Sequence, residues 1–162
     1  MTNNEVFRGV RYALALPTTA MAEIFILSGH PVTPDKIHNL LKREEEEGVV
    51  VCSDALMEDF LAGLIVYKRG RQEGKPERAI QSVEPLTNNS ILKKLRIALV
   101  LQEGDMLGIL QQAGSPVSKS ELSALFRKAG HKNYKECGDQ FLRNFLKGLA
   151  LRYRETSPQC PA

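Results

Sequence analysis

The sequence predicts an all-α fold made of two tandem four-helix repeats packed together, with no significant sheet. Three observations predict it. The chain repeats itself at an offset of 85 residues. Each copy carries apolar residues at helical spacing, and no segment alternates apolar and polar residues convincingly enough to read as a strand.

Offset by 85, Thr2–Arg69 aligns with Thr87–Arg154 without a gap, giving 20 identities in 68 positions. Thr2-Asn3-Asn4 falls on Thr87-Asn88-Asn89, Arg11 on Arg96, Met21 on Met106 and Ile24 on Ile109. Gly29, Pro31 and Val32 fall on Gly114, Pro116 and Val117. Cys52 and Asp54 fall on Cys137 and Asp139, and Phe60-Leu61 and Gly63-Leu64 on Phe145-Leu146 and Gly148-Leu149. Most other pairs exchange one apolar residue for another, as Val6/Ile91 and Leu56/Phe141 do.

The first helix of copy one is expected from Asn3 to Leu16, with Val6, Val10, Ala13 and Leu14 as its apolar stripe. Thr2 or Asn3 caps its start, and Pro17 ends it. The second helix, Thr19 to Ser28, stops at Gly29, a residue suited to the left-handed C′ position. The third starts at Thr33, with Pro34 at its first position, where the missing N–H costs nothing. Its counterpart begins with Ser118-Lys-Ser-Glu121, the pattern of a capping box. The fourth, Asp54 to Lys68 and Asp139 to Tyr153, is the most apolar, with Phe141, Leu142, Phe145, Leu146, Leu149 and Tyr153 on one side. Val49-Val50-Val51 reads as a short extended piece at most.

The domain organisation that follows is an acidic copy (1–69), a linker (70–85), a basic copy (86–155) and a disordered tail (156–162). The linker is rich in Gly, Pro and charged residues. A copy of about 68 residues is marginal as an independent core, so the two are expected to pack on each other or to swap between subunits.

Composition excludes several classes. Apolar residues make up 43% and charged residues 25%, which is globular rather than disordered. The longest charge-free apolar run, Phe60 to Tyr67, is eight residues, against about 18 for a membrane span, so no membrane partner is expected. Arg8 and Arg11 followed by Tyr12–Leu16 and Ala20-Met-Ala22 imitate a secretory leader, but the apolar core is too short and the segment recurs in mid-chain. Cys52, Cys137 and Cys160 are odd in number and widely spaced, which argues for a reducing compartment and a cytoplasmic location.

No catalytic residue, metal site or cofactor is expected. Gly70-Arg-Gln-Glu-Gly74-Lys75-Pro76 is one residue short of a phosphate-binding loop and has Pro where Ser or Thr should hold magnesium. The three histidines have no metal-ligand spacing. His131, six residues before Cys137, would activate a thiol, yet Glu46 takes its place in copy one while Cys52 persists. Both cysteines are therefore read as small apolar pegs. Among the polar positions retained in both copies, two stand out as candidate sites: Arg11 with Arg96, and Asp54 with Asp139. The aspartates are read as N-caps, and ion pairs Arg11–Asp54 and Arg96–Asp139 are expected, with a ligand-binding arginine as the alternative.

Charge carries the most information. Copy one has seven basic and ten acidic residues, net −3, and copy two twelve and six, net +6. Glu44–Glu47 in copy one stands opposite Ala129–Lys132 in copy two. Arg143, Lys147 and Arg154 share a helix face that reads as a phosphate-contacting stripe, a solvated face, or the complement of an acidic loop in a neighbouring subunit. With Lys119, Arg127, Lys128, Lys132 and Lys135 they are the candidate nucleic-acid-binding residues. The second and third helices have helix-turn-helix dimensions, and in copy two the reading helix would offer Lys119, Ser120, Ser123 and Arg127. An ordinary helical hairpin fits as well.

The paired T-N-N…R-x-A-L openings, together with Gly130–Leu149 and Leu151-Arg-Tyr-Arg154, resemble the YehS-like family. The resemblance covers Thr2 to Arg154. It implies a small bacterial cytoplasmic protein with a duplicated helical unit, and it carries no catalytic residue across. The expected function is a non-enzymatic binding or interaction module, either with an unidentified protein partner or as a homo-oligomer whose acidic and basic halves complement one another. The alternative is a nucleic-acid-binding regulator using the basic surface of copy two.

Overall fold

The computed structural model describes residues 1–70 and 86–156, and these contain eight helices and no strand. Copy one provides α1 (Asn3–Leu14), α2 (Thr18–Leu27), α3 (Pro34–Leu41) and α4 (Asp54–Arg69). Copy two provides α5 (Asn88–Ala98), α6 (Glu103–Gln112), α7 (Lys119–Leu125) and α8 (Asp139–Thr156). The phosphate-loop look-alike and linker beyond Gly70, and the tail beyond Thr156, lie outside the described residues.

Local chemistry sets the helix ends, and several differ from the sequence reading. Thr2 caps α1 by accepting from the Glu5 N–H (3.1 Å). The helix stops before Leu16 because Ala15 enters the left-handed region at φ 52°, as Val100 does in copy two. The N–H groups of Leu16 and Leu101 then return to the carbonyls of Arg11 and Arg96 (3.1 and 3.0 Å). Pro17 precedes α2 rather than merely ending α1, and the chain bends by 115° between them. Thr33 and Pro34 start α3 as their types require. Ser118 accepts from the Glu121 N–H (3.1 Å), one half of the anticipated box, while the complete box forms at Thr87/Ser90, and at the start of α6 the Asp105 carboxylate accepts from the Gln102 N–H (2.9 Å). Asp54 is not an N-cap: Ser53 holds that position, and Asp54 and Asp139 are the first residues of α4 and α8. Val49–Val51 stays in a loop, with the Val50 N–H on the Asn39 carbonyl (3.0 Å).

The copies exchange partners. α1 packs chiefly on α8, and α5 on α4, while α2 lies on α4 and α6 on α8. Exchanging the copies maps each of these pairs onto the other, so a pseudo-two-fold axis relates them. Asn3 reaches Asp54 (2.8 Å), Asn88 reaches Asp139 (2.7 Å), and the terminal ammonium of Met1 also reaches Asp139. All four helices α1, α4, α5 and α8 therefore begin at one end of the molecule, with α1 and α5 at opposite corners. Apolar residues from both copies form one continuous core. In copy one Phe7, Phe25 and Phe60 are fully buried, with Phe7 edge-on to Phe60 at 4.8 Å. No described helix is long and apolar enough to cross a membrane.

Two retained features hold this arrangement. A Cβ on Gly63 would sit 2.0 Å from the Ile24 carbonyl oxygen, and one on Gly148 2.1 Å from that of Ile109, so only glycine lets α2 and α6 lie this close to α4 and α8. Asn4 is buried; it donates to the carbonyls of Leu40 and Val50 (3.1 and 2.8 Å) and accepts from the Cys52 N–H (2.8 Å). Asn89 repeats this with Leu125, Lys135 and Cys137 at 3.0, 2.9 and 2.8 Å.

Gly63→Ala and Gly148→Ala are expected to lose about 3 kcal/mol or more by overpacking, whereas Gly108→Ala, with open space at its Cβ, is neutral or gains up to about 1 kcal/mol in urea unfolding. Asn4→Ala and Asn89→Ala each leave buried backbone groups unpaired and are expected to cost roughly 2–4 kcal/mol, measured as a lowered urea midpoint at unchanged slope.

Candidate functional site

The polar residues retained in both copies are drawn into the scaffold. Asp54 accepts from Asn3, which also donates to the Cys52 carbonyl (3.1 Å). Asp139 accepts from Asn88 and the Met1 ammonium, and these bonds, the ammonium first, hold its carboxyl below the ordinary value. The expected Arg11–Asp54 and Arg96–Asp139 ion pairs do not form. The aspartates sit where the helices begin, whereas Arg11 and Arg96 lie eight residues further along α1 and α5 than Asn3 and Asn88, about 12 Å away at 1.5 Å per residue. Arg96 instead donates Nε to the Leu101 carbonyl (3.0 Å) and stacks 4.7 Å above the Phe126 ring. Arg11 buries its Nε with no hydrogen-bond partner among the described residues.

Cys52 and Cys137 are each 3% exposed. Burial first, and then the neighbouring Asp54 or Asp139, pushes both thiols up to about 11. Their Sγ atoms face the carbonyls of Ser53 and Gly138 (3.7 Å), and His131 is engaged with the Asn133 N–H (3.0 Å). The thiol and imidazole therefore do not form a nucleophile–base pair. Among the described residues no three His, Cys, Asp or Glu side chains gather as metal ligands.

The eight cations predicted for nucleic acid separate into two groups. Arg143, Lys147 and Arg154 lie along the seam between α8 and α1. Arg143 reaches Glu5 (3.4 Å), and Arg154 donates to the Tyr12 carbonyl (2.9 Å) with its guanidinium 3.8 Å above the Tyr12 ring. Lys147 borders a shallow groove with Gly9, Tyr12, Leu146, Ala150 and Leu151. Arg143 and Arg154 thus complement copy one within the same molecule, because α1 packs on α8.

Lys119, Arg127, Lys128, Lys132 and Lys135 form the second group, on α7 and the loop joining it to α8. All five are exposed. None forms an ion pair with another described residue. The pseudo-equivalent α3–α4 loop of copy one exposes Glu44–Glu47 instead. There Arg43 donates its backbone N–H to the Glu46 side chain (3.3 Å), and Lys42 Nζ donates to the Glu47 carbonyl (2.8 Å). Asn4 and Asn89, which anchor these two loops, were not anticipated as buried polar residues. Their signal was the repeated T-N-N and C-x-D pairs at constant separation.

The buried thiols set a pH dependence. With folded values near 11 against about 8.5 in an unfolded chain, both stay neutral in the native state after the unfolded chain has ionised. Their contribution to stability is present below about pH 8.5 and declines as the pH rises from there towards 11. Melting temperatures measured across that interval should fall less in a Cys52→Ala/Cys137→Ala variant than in the parent.

The family model described as "Protein of unknown function (DUF1456)" matches twice, at residues 3–70 and 88–155. "Uncharacterized protein YehS" of Escherichia coli (strain K12) is 43% identical over 152 residues, covering 94% of this chain and 96% of that protein. No solved structure matches the chain. With two matches that between them span both four-helix units, the chain belongs to the DUF1456 family and is YehS-like, a tandem of that family's repeat.

Proposed function

We propose that this protein is a non-enzymatic interaction module of the cytoplasm, in which the residues shared by the two copies build the scaffold and those by which the copies differ make the contacts. One observation carries the reading. The retained asparagines, aspartates and Arg96 are engaged in internal hydrogen bonds, while the strongest differences between the copies lie exposed on two pseudo-equivalent loops. A duplicated unit that keeps its internal bonds and diverges in exposed charge presents two different faces on one rigid frame. Affinity capture from cytoplasm, comparing the parent with a K128E/K132E variant, tests this. Partners should be lost from the variant while its melting temperature stays within about 2 °C of the parent. Capture unaffected by either loop's charge would refute it.

A second reading is favoured by the five exposed cations of α7 and its following loop, which suit a phosphate backbone. If all five contact phosphates, affinity for random duplex should fall by roughly 500-fold between about 50 and 200 mM salt. No shift in fluorescence anisotropy at low salt would remove this reading.

A further inference from the structure

We propose that the partner of the charged loops is a second copy of this chain, joined end to end across a two-fold axis so that the α3–α4 loop of each protomer meets the α7–α8 loop of the other. The inference deepens the interaction-module reading and rests on it.

Both loops border the end at which α1, α4, α5 and α8 begin, because Asn4 holds Val50 and Cys52 there and Asn89 holds Lys135 and Cys137. They cannot neutralise each other within one molecule, since α1 and α5 stand at opposite corners of the four-helix group and each anchors its own loop. Their charges are opposite. Glu44, Glu45 and Glu47 form no ion pair with a described residue, and neither do Arg127, Lys128, Lys132 and Lys135. Beside the acidic loop Val51 is 80% exposed, an apolar side chain at the same end of the molecule whose counterpart in copy two is Glu136.

The geometry then selects a closed pair. A pseudo-two-fold axis runs through the end face and relates an acidic corner to a basic one. Turning a second molecule over onto that face brings acid to base at both corners at once, so every contact is made twice and no binding corner is left over. A nucleic acid would use the basic corner alone and leave the acidic corner unpaired.

Sedimentation velocity of the full chain is the test, with the charge-reversed variants E44K/E45K/E47K (both corners basic) and K128E/K132E/K135E (both acidic). The parent should dimerise at about 50 mM salt and weaken at least about tenfold near 500 mM, as exposed ion pairs are screened. Each variant alone should be monomeric, and a mixture of the two should restore a 1:1 heterodimer. Circular dichroism matching the parent establishes that both are folded. A parent monomeric at the highest soluble concentration in low salt overturns the dimer, as does a dimer that neither reversal disturbs. If the parent is monomeric yet K128E/K132E/K135E loses a captured protein or duplex DNA, the dimer fails while the role of the charged loops stands.

Discussion

The buried amide of Asn4, repeated at Asn89, is the interaction on which the molecule is organised. One side chain accepts from the N–H of the cysteine preceding the fourth helix and donates to two carbonyls, joining the start of one helix, the end of another and the loop between. Few side chains other than an amide can do this, since the task needs a donor with two hydrogens and an acceptor on one short stem. Without it, the Leu40 carbonyl and the Cys52 N–H would lose a buried partner and the Val50 carbonyl a half-buried one. Nearby, Asn3 and Asn88 tie the first helix of each copy to the first residue of the fourth.

From that anchor the rest follows. With the first and fourth helices of each copy pinned at their starts, their remaining apolar flanks are open to the other copy. The cross-pairing of α1 with α8 and α4 with α5 closes them. This is why units of about 68 residues, too small to bury much surface alone, share one core. The glycines at 63 and 148 let the fourth helix of each copy lie against a carbonyl of the second, that of Ile24 in α2 or Ile109 in α6, completing the layer. The cysteines are buried beside the anchor, and that burial raises both thiols.

Against this shared frame the differences between the copies stand out. Glu5 opposite Arg143 and Tyr12 beneath Arg154 make the α1–α8 seam polar at both ends. At the corresponding places of the α4–α5 seam the chain has Ser90 with Glu58, and Ile97 with Arg69. The net charges of −3 and +6 therefore contain two components: seam residues that neutralise each other inside the molecule, and loop residues that remain in solvent.

The amino-acid sequence determined the fold class, the duplication and most of the helices, because periodicity, caps and self-similarity are local or directly comparable properties. It also marked Asn4, Gly63, Cys52 and their counterparts as retained, without saying why. Tertiary structure decided the rest. It made Asn4 a buried tether, set Arg11 and Arg96 about 12 Å along their helices from the ends where the aspartates sit, at 1.5 Å per residue, and laid Arg143 and Arg154 of α8 against Glu5 and Tyr12 of α1. Each depends on which helix lies beside which. Helical spacing identifies the residues that share a face, but it does not identify the helix that the face meets.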